Sequence, residues 1–271
     1  ITKLMTAYVV YKVLSEGSLQ LTDEVLISEK AWRAIGSRMF VEVGKRVKVD
    51  ELLQGLIVQS GNDASIALAE HIAGSEEAFA GMMNIEASRL GMVSSHFTNV
   101  TGLTHDQHFM TARDISTLSS AIIRDFPEQY KRYSQKEFTY NEITQSNRNK
   151  LLWRDPSVDG LKTGHTDAAK YCLASSAKRD DMRLVSVVLG APSADARATY
   201  SQALFNYGFR FYESHKLYSA GQELLKKRAW YGAQKEVSLG IQEDITITLP
   251  RGRYNDLKTY MQVVSQLEAP I

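Results

Sequence analysis

One cysteine, Cys172, stands in 271 residues. No disulfide can form within such a chain, and no zinc site can be built from cysteines; the redox compartment stays open, because a periplasmic protein can do without disulfides. Charge of one sign is missing too. Lys and Arg number 32 against 31 Asp and Glu, which removes a global electrostatic case for nucleic acid. The apolar runs are a few residues long, far short of the roughly 20 needed to cross a bilayer. There is no initiator Met and no signal peptide: the chain opens Ile1-Thr2-Lys3-Leu4-Met5, already inside a helical pattern, and reads as lacking its N-terminus. It stops at Ala269-Pro270-Ile271 without an obvious domain end. What remains is 44% hydrophobic and 23% charged residues, the composition of a folded chain of one large domain or two.

The periodicity predicts an α+β chain. Leu4, Tyr8, Val9 and Val13 mark a buried helix from Ile1 to about Ser15, stopped by Gly17. Short alternating pieces follow to residue 49. Asp50 is the expected N-cap of a helix carrying Leu52, Leu53, Leu56 and Ile57, which Gly61 should break. Further helices are expected from Asp63 to about Ala73, from Ser75 to Leu90, and from a Thr111 cap to about Arg124. Phe138, Tyr140 and Ile143 around Asn141-Glu142 read as a hairpin. Tyr171–Ala177 and Met182–Leu189 read as strands of an antiparallel sheet, and Ala194 to Tyr207 as a helix ending at Gly208. After about Phe211 only short strands remain, Tyr260–Val264 among them, so a small all-β domain is expected over residues 212–271 behind a larger domain over 1–211.

Three short motifs carry the chemistry. Lys162-Thr163-Gly164-His165 stands directly before an expected strand, where an edge can present backbone groups to a substrate. Ser60-Gly61-Asn62 stands at a helix end, and Lys3 at a helix start would close an S-x-x-K motif whose serine precedes Ile1. Each triplet alone is weak. Together, in this order, S-x-x-K, S-x-N and K-T-G are the signature of penicillin-binding proteins and class A β-lactamases.

With these motifs the sequence resembles the D-alanyl-D-alanine carboxypeptidases among low-molecular-mass penicillin-binding proteins, of the 5 and 6 kind. The likeness extends to Leu56–Ala64, Ile123-Arg124-Asp125, Asn147-Arg148-Asn149 with Leu151-Leu152-Trp153, Val158–Asp167, Gly208–Phe211 and Pro250–Arg253. It implies a transpeptidase/β-lactamase-like domain followed by a β-rich one. It also implies a periplasmic protein held on the outer face of the inner membrane by a C-terminal helix outside this chain. Its partners would be the peptidoglycan pentapeptide and covalently bound β-lactams, with no nucleic acid, metal or organic cofactor.

A serine hydroxyl attacks well only once a base takes its proton. Lys3, one turn from that serine, is the expected base, and must be neutral to act. Lowering a lysine from ~10.4 to near 7 needs roughly 4–5 kcal/mol, which burial and a second cation, Lys162, can supply. Ser60 would relay the proton to the leaving amine, and Asn62, after Gly61, would hold Lys3 and the substrate amide. The resemblance further implies that the backbone of His165 shares the oxyanion hole and that Gly61, Thr163, Gly164 and Arg197 meet the substrate, Thr163 and Arg197 at its terminal carboxylate. It also suggests an Arg148–Asp125 pair holding a nearby loop, and it marks Lys170 as a departure where glycine is usual.

Cys172 and four histidines, His71, His96, His105 and His108, read as structural, and Asp114 as ordinary helix N-terminal charge. Three alternatives remain. A class A β-lactamase would use Glu137 and Asn141, whose spacing fits but which fall in the expected hairpin. A D,D-endopeptidase would share the site. A non-catalytic peptidoglycan-binding protein would follow if no serine precedes Ile1.

Overall fold

A computed structural model describes residues 1–269. In chain order, the helices are α1 (Lys3–Ser15), α2 (Glu29–Trp32), α3 (Val49–Gln54), α4 (Asn62–Ala73), α5 (Glu76–Arg89), α6 (Ala112–Asp125), α7 (Pro127–Tyr130), α8 (Leu151–Arg154) and α9 (Ala194–Phe211). The strands are β1 (Glu24–Leu26), β2 (Arg46–Lys48), β3 (Glu137–Tyr140), β4 (Ile143–Ser146), β5 (Val158–Thr166), β6 (Lys170–Arg179), β7 (Met182–Ala191), β8 (Tyr212–Tyr218), β9 (Glu223–Trp230), β10 (Glu236–Gly240), β11 (Ile245–Pro250) and β12 (Leu267–Glu268). Among the described residues no helix is long and apolar enough to cross a membrane.

The chain divides into two compact units. The first comprises Ile1–Arg179 and Arg183–Phe205. Its core is built on α1, buried along its length from Lys3 to Tyr11 because nearly every residue there is apolar or uncharged. Gly17, at φ 77°, ends this helix, since left-handed backbone is cheapest for glycine. The Ser75 and Thr111 hydroxyls accept from the N–H groups of Ala78 and Asp114, capping α5 and α6 as their sequences predict. Around these helices lies a three-stranded sheet ordered β5-β6-β7. β5 is an edge strand, paired antiparallel to β6 with Lys162 opposite Ala174 and Gly164 opposite Cys172. The second unit, Asp180–Met182 with Asn206–Ile271, contains the antiparallel pairs β8–β11 and β9–β10, with β12 parallel to β9.

Several expectations need correction. Asp50 does not cap α3: Lys48 is the N-cap, and the Asp50 carboxylate accepts instead from the Gln54 side chain and the Arg132 guanidinium. The K-T-G triplet lies inside β5 rather than before a strand. α9 continues through Gly208 to Phe211, because helix interiors tolerate a single glycine at about 1 kcal/mol. Tyr260–Val264 forms no strand: alternation needs a partner to become a strand, and Tyr260 is 89% exposed. The hairpin does form, with Tyr140 opposite Ile143 and Asn141 and Glu142 both at positive φ. Lys170 opens β6 at φ 55°, a conformation that explains a preference for glycine there.

Candidate active site

A cavity of about 1030 Å³ opens in the first unit. Lys3, Ser60, Asn62, Lys162, Thr163, Gly164, His165 and Arg197 all line it, brought from α1, the α3–α4 region, β5 and α9. Gly61 does not. Its N–H donates to the Gly55 carbonyl and its own carbonyl accepts from Ser65, so its backbone shapes the turn.

The S-G-N segment owes its aim to an irregular helix end. After α3 the chain widens into a single π turn, Gly55–Gln59, and Ser60 sits in left-handed backbone at φ 66°. That conformation costs a non-glycine residue about 1 kcal/mol. It turns Ser60 out of the helical path into the cavity, and α4 then restarts at Asn62. The Asn62 Oδ1 accepts from Lys3 Nζ at 2.6 Å, and its Nδ2 donates to the Ile35 carbonyl at 2.6 Å. Lys3 Nζ also donates to the Thr101 carbonyl at 2.7 Å.

Lys3 is only 5% exposed and Lys162 3%. Burial is the main reason the Lys3 ammonium drops to about 7; Asp63 opposes the shift and Arg148 adds to it. Lys162 is pushed well below the ordinary lysine range, by burial first and then by the charges of Lys3, Arg148 and Arg197. Arg148 is thus a further cation acting on Lys3, and Lys3 and Lys162 each disfavour the other's charge. A lysine near 7 can take a proton and return it at neutral pH.

Arg148 is placed by its neighbours. Asn147 and Asn149 are both buried. The first bonds to Gln135 and receives the Asn149 N–H; the second donates to the Gly160 carbonyl. Fixing the residues on both sides leaves Arg148 facing the cavity. The expected Arg148–Asp125 pair is absent: Asp125 bonds to Arg124 and the Tyr8 hydroxyl. Arg197 is buried, donating to the carbonyls of Gly164 and Cys172 and lying 5.6 Å from the Tyr171 ring centre. Two guanidinium groups, Arg148 and Arg197, and the two depressed lysines line the cavity and, among the described residues, no carboxylate does. An anionic ligand fits such a surface.

Gly164 meets α1 directly. A Cβ there would fall 2.6 Å from the Ile1 nitrogen, so only glycine lets β5 approach so closely. The edge of β5, with Lys162 to His165, therefore runs beside the start of α1. The His165 ring is exposed, 4.2 Å from that of Tyr171. Glu137, the β-lactamase candidate, lies in β3 outside the cavity, exposed.

Sequence reading missed three contributors. Asp63 accepts from the backbone N–H groups of Met39, Phe40 and Val41, tying their loop to α4. The Thr101 carbonyl has no sequence signal, because a main-chain acceptor is independent of side-chain identity. His108, read as structural, lines the cavity.

Residues 1–193 match the D-alanyl-D-alanine carboxypeptidase family of S11 peptidases, and residues 212–271 the C-terminal domain of penicillin-binding protein 5. The chain is 42% identical over 280 residues to the D-alanyl-D-alanine carboxypeptidase DacA of Escherichia coli strain K12, covering 100% of this chain and 69% of that one. The structure of penicillin-binding protein 5 from Haemophilus influenzae superposes with a TM-score of 0.90 at 42% identity, over 99% of this chain and 80% of that one. That of penicillin-binding protein D2 from Listeria monocytogenes, in an ampicillin-bound form, gives 0.69 at 31% identity, over 77% and 85%. By its sequence, its α+β fold and its full-length relatives, the chain belongs to the D-alanyl-D-alanine carboxypeptidases of the penicillin-binding protein 5 and 6 type.

Proposed function

We propose that this carboxypeptidase works through a serine bonded directly before Ile1, with Lys3 as its base. The observation that carries the reading is the Ile1 nitrogen lying against Gly164 of the K-T-G edge, in the cavity that also holds the Lys3 amine. A residue bonded to that nitrogen stands between the two.

The serine hydroxyl gives its proton to neutral Lys3, and its oxygen bonds to the carbonyl carbon of the penultimate D-Ala of a peptidoglycan stem pentapeptide. The oxyanion is held by the backbone N–H groups of that serine and His165, each worth ~3 kcal/mol by analogy with a single donor elsewhere. Ser60 passes the proton to the leaving nitrogen, the C–N bond breaks, and D-Ala departs. Water then attacks the ester, giving its proton back through the same groups, and the tetrapeptide leaves. Thr163, Arg197 and Arg148 receive the terminal carboxylate; the two guanidinium groups of the lining, with no carboxylate among the described residues, support this. β-Lactams present a strained amide to the same serine, in keeping with the ampicillin-bound Listeria relative. Within this reading residues 1–211 are the catalytic domain and 212–271 the β-rich domain. The protein acts in the periplasm on the outer face of the inner membrane, held there by a helix beyond this chain, with no nucleic-acid partner.

The direct test follows D-Ala release from diacetyl-Lys-D-Ala-D-Ala by the full-length protein. Release that stops when the residue before Ile1 is changed to Ala supports the scheme; normal release by that variant refutes it.

A further inference from the structure

Thr2 stands in the first turn of helix α1 in helical backbone, at φ −41° and ψ −39°, and its hydroxyl accepts from no N–H of the helix. The buried Thr2 hydroxyl instead meets His108 Nε2 at 2.7 Å, across 106 positions of sequence. The other ring nitrogen, Nδ1, accepts the backbone N–H of Thr98 at 3.1 Å. That acceptor role fixes the tautomer: the proton is on Nε2 and is donated to Thr2 Oγ1.

The ring is itself held. Phe97 packs edge-on against it at 5.7 Å, and the His96 and Phe109 backbones exchange N–H groups on either side of the loop. The same loop grips α1 at further points. The Val100 carbonyl accepts from the Thr6 hydroxyl at 2.7 Å, and the Thr101 carbonyl from Lys3. A Cβ on Gly102 would fall 2.7 Å from Thr2 Oγ1, so this glycine lies directly on Thr2. Burial lowers the ring below the ordinary imidazole range and keeps it neutral, and a protonated Nδ1 could not accept from Thr98.

First helical turns fray when their leading N–H groups lack partners. In this chain the first turn carries both Lys3 and the bond to the residue before Ile1. A displacement of about 1 Å in such a pair costs on the order of a hundredfold in rate. We infer that His108 is a positioning residue, whose hydrogen bond to Thr2 locks the first turn of α1 so that the nucleophile and Lys3 stay aligned. The inference rests on the serine reading above. His108 holds the catalytic turn from outside the reacting atoms and exchanges no proton with substrate.

The test uses the full-length protein and two readouts, the acylation rate by a fluorescent penicillin and kcat with KM for diacetyl-Lys-D-Ala-D-Ala. Thermal melting accompanies each variant. His108→Ala and Thr2→Val should each lower kcat and acylation about tenfold, equivalent to about 1.4 kcal/mol, with KM within about twofold. His108→Gln, which can still donate to Thr2, and Thr2→Ser, which can still accept, should recover most of the rate. The double variant His108→Ala/Thr2→Val should be no slower than either single one, because both remove one bond. Unchanged rates, additive losses, a raised KM in place of a lowered kcat, or no rescue despite native melting would each overturn the inference. A wild-type protein that penicillin never acylates would overturn the serine reading, and this inference with it.

Discussion

The two units treat charge in opposite ways. In the first, a core built around α1 encloses Lys3 and Lys162, and burial is the leading cause of both depressed amines. Beyond residue 205, among the described residues, only Ala229 and Leu249 are buried, and Trp230, Tyr231 and Tyr260 stand exposed. Charges there form surface pairs such as Lys216–Asp244 at 2.6 Å and Arg251–Glu213 at 3.7 Å. A surface pair holds each partner in its charged form. Only a thick apolar surround can hold a lysine neutral, and the chemistry gathers where that surround is. Thickness, rather than the count of charged residues, separates the two units.

The sharpest way to break the contrast is Lys3→Arg. A guanidinium cannot lose its proton in a protein, so acylation by a fluorescent penicillin should fall by about a thousandfold, within the range of general-base effects. Retention of the rate would show that a neutral amine is not needed. The next effect is structural. Asp63→Ala strands the N–H groups of Met39, Phe40 and Val41 and should destabilise the first unit by about 3 kcal/mol in urea unfolding. The smallest effect lies in the second unit. Lys216→Ala removes an exposed pair and should leave the melting midpoint within the scatter of repeats at physiological salt. A clear drop would mean that surface pairs matter more there than exposure allows.

Local chemistry made much of the fold legible. The Ser75 and Thr111 caps, the glycine ending α1 and the Asn141-Glu142 turn depend on neighbours within a few residues, and all form as read. The three motifs were legible as letters, and eight of the nine residues proposed from them and from the family resemblance line one cavity. What the letters did not carry was long-range. Gly55, which opens the π turn before Ser60, has no Cβ and so leaves room for the Met39 sulfur. The N-cap of α3 moved from Asp50 to Lys48 because Arg132, 82 positions on, engages the aspartate. Arg148 faces the cavity as a further cation acting on Lys3 because two flanking asparagines are anchored elsewhere. His108 carries no motif, and only folding brings it to Thr2.

The central claim concerns the protonation of one amine. Burial lowers Lys3 to about 7 in the folded protein, and the free lysine lies near ~10.4. The neutral form therefore grows as pH rises, so the acylation rate should climb about tenfold per pH unit below the midpoint and level off above it. The deciding measurement is the second-order rate of penicillin acylation of the full-length protein from pH 5 to 9. The account predicts a rising limb with its midpoint near 7, absent from the residual rate of Lys3→Arg. A rate that is flat across this range, or that rises only toward pH 10, would contradict it.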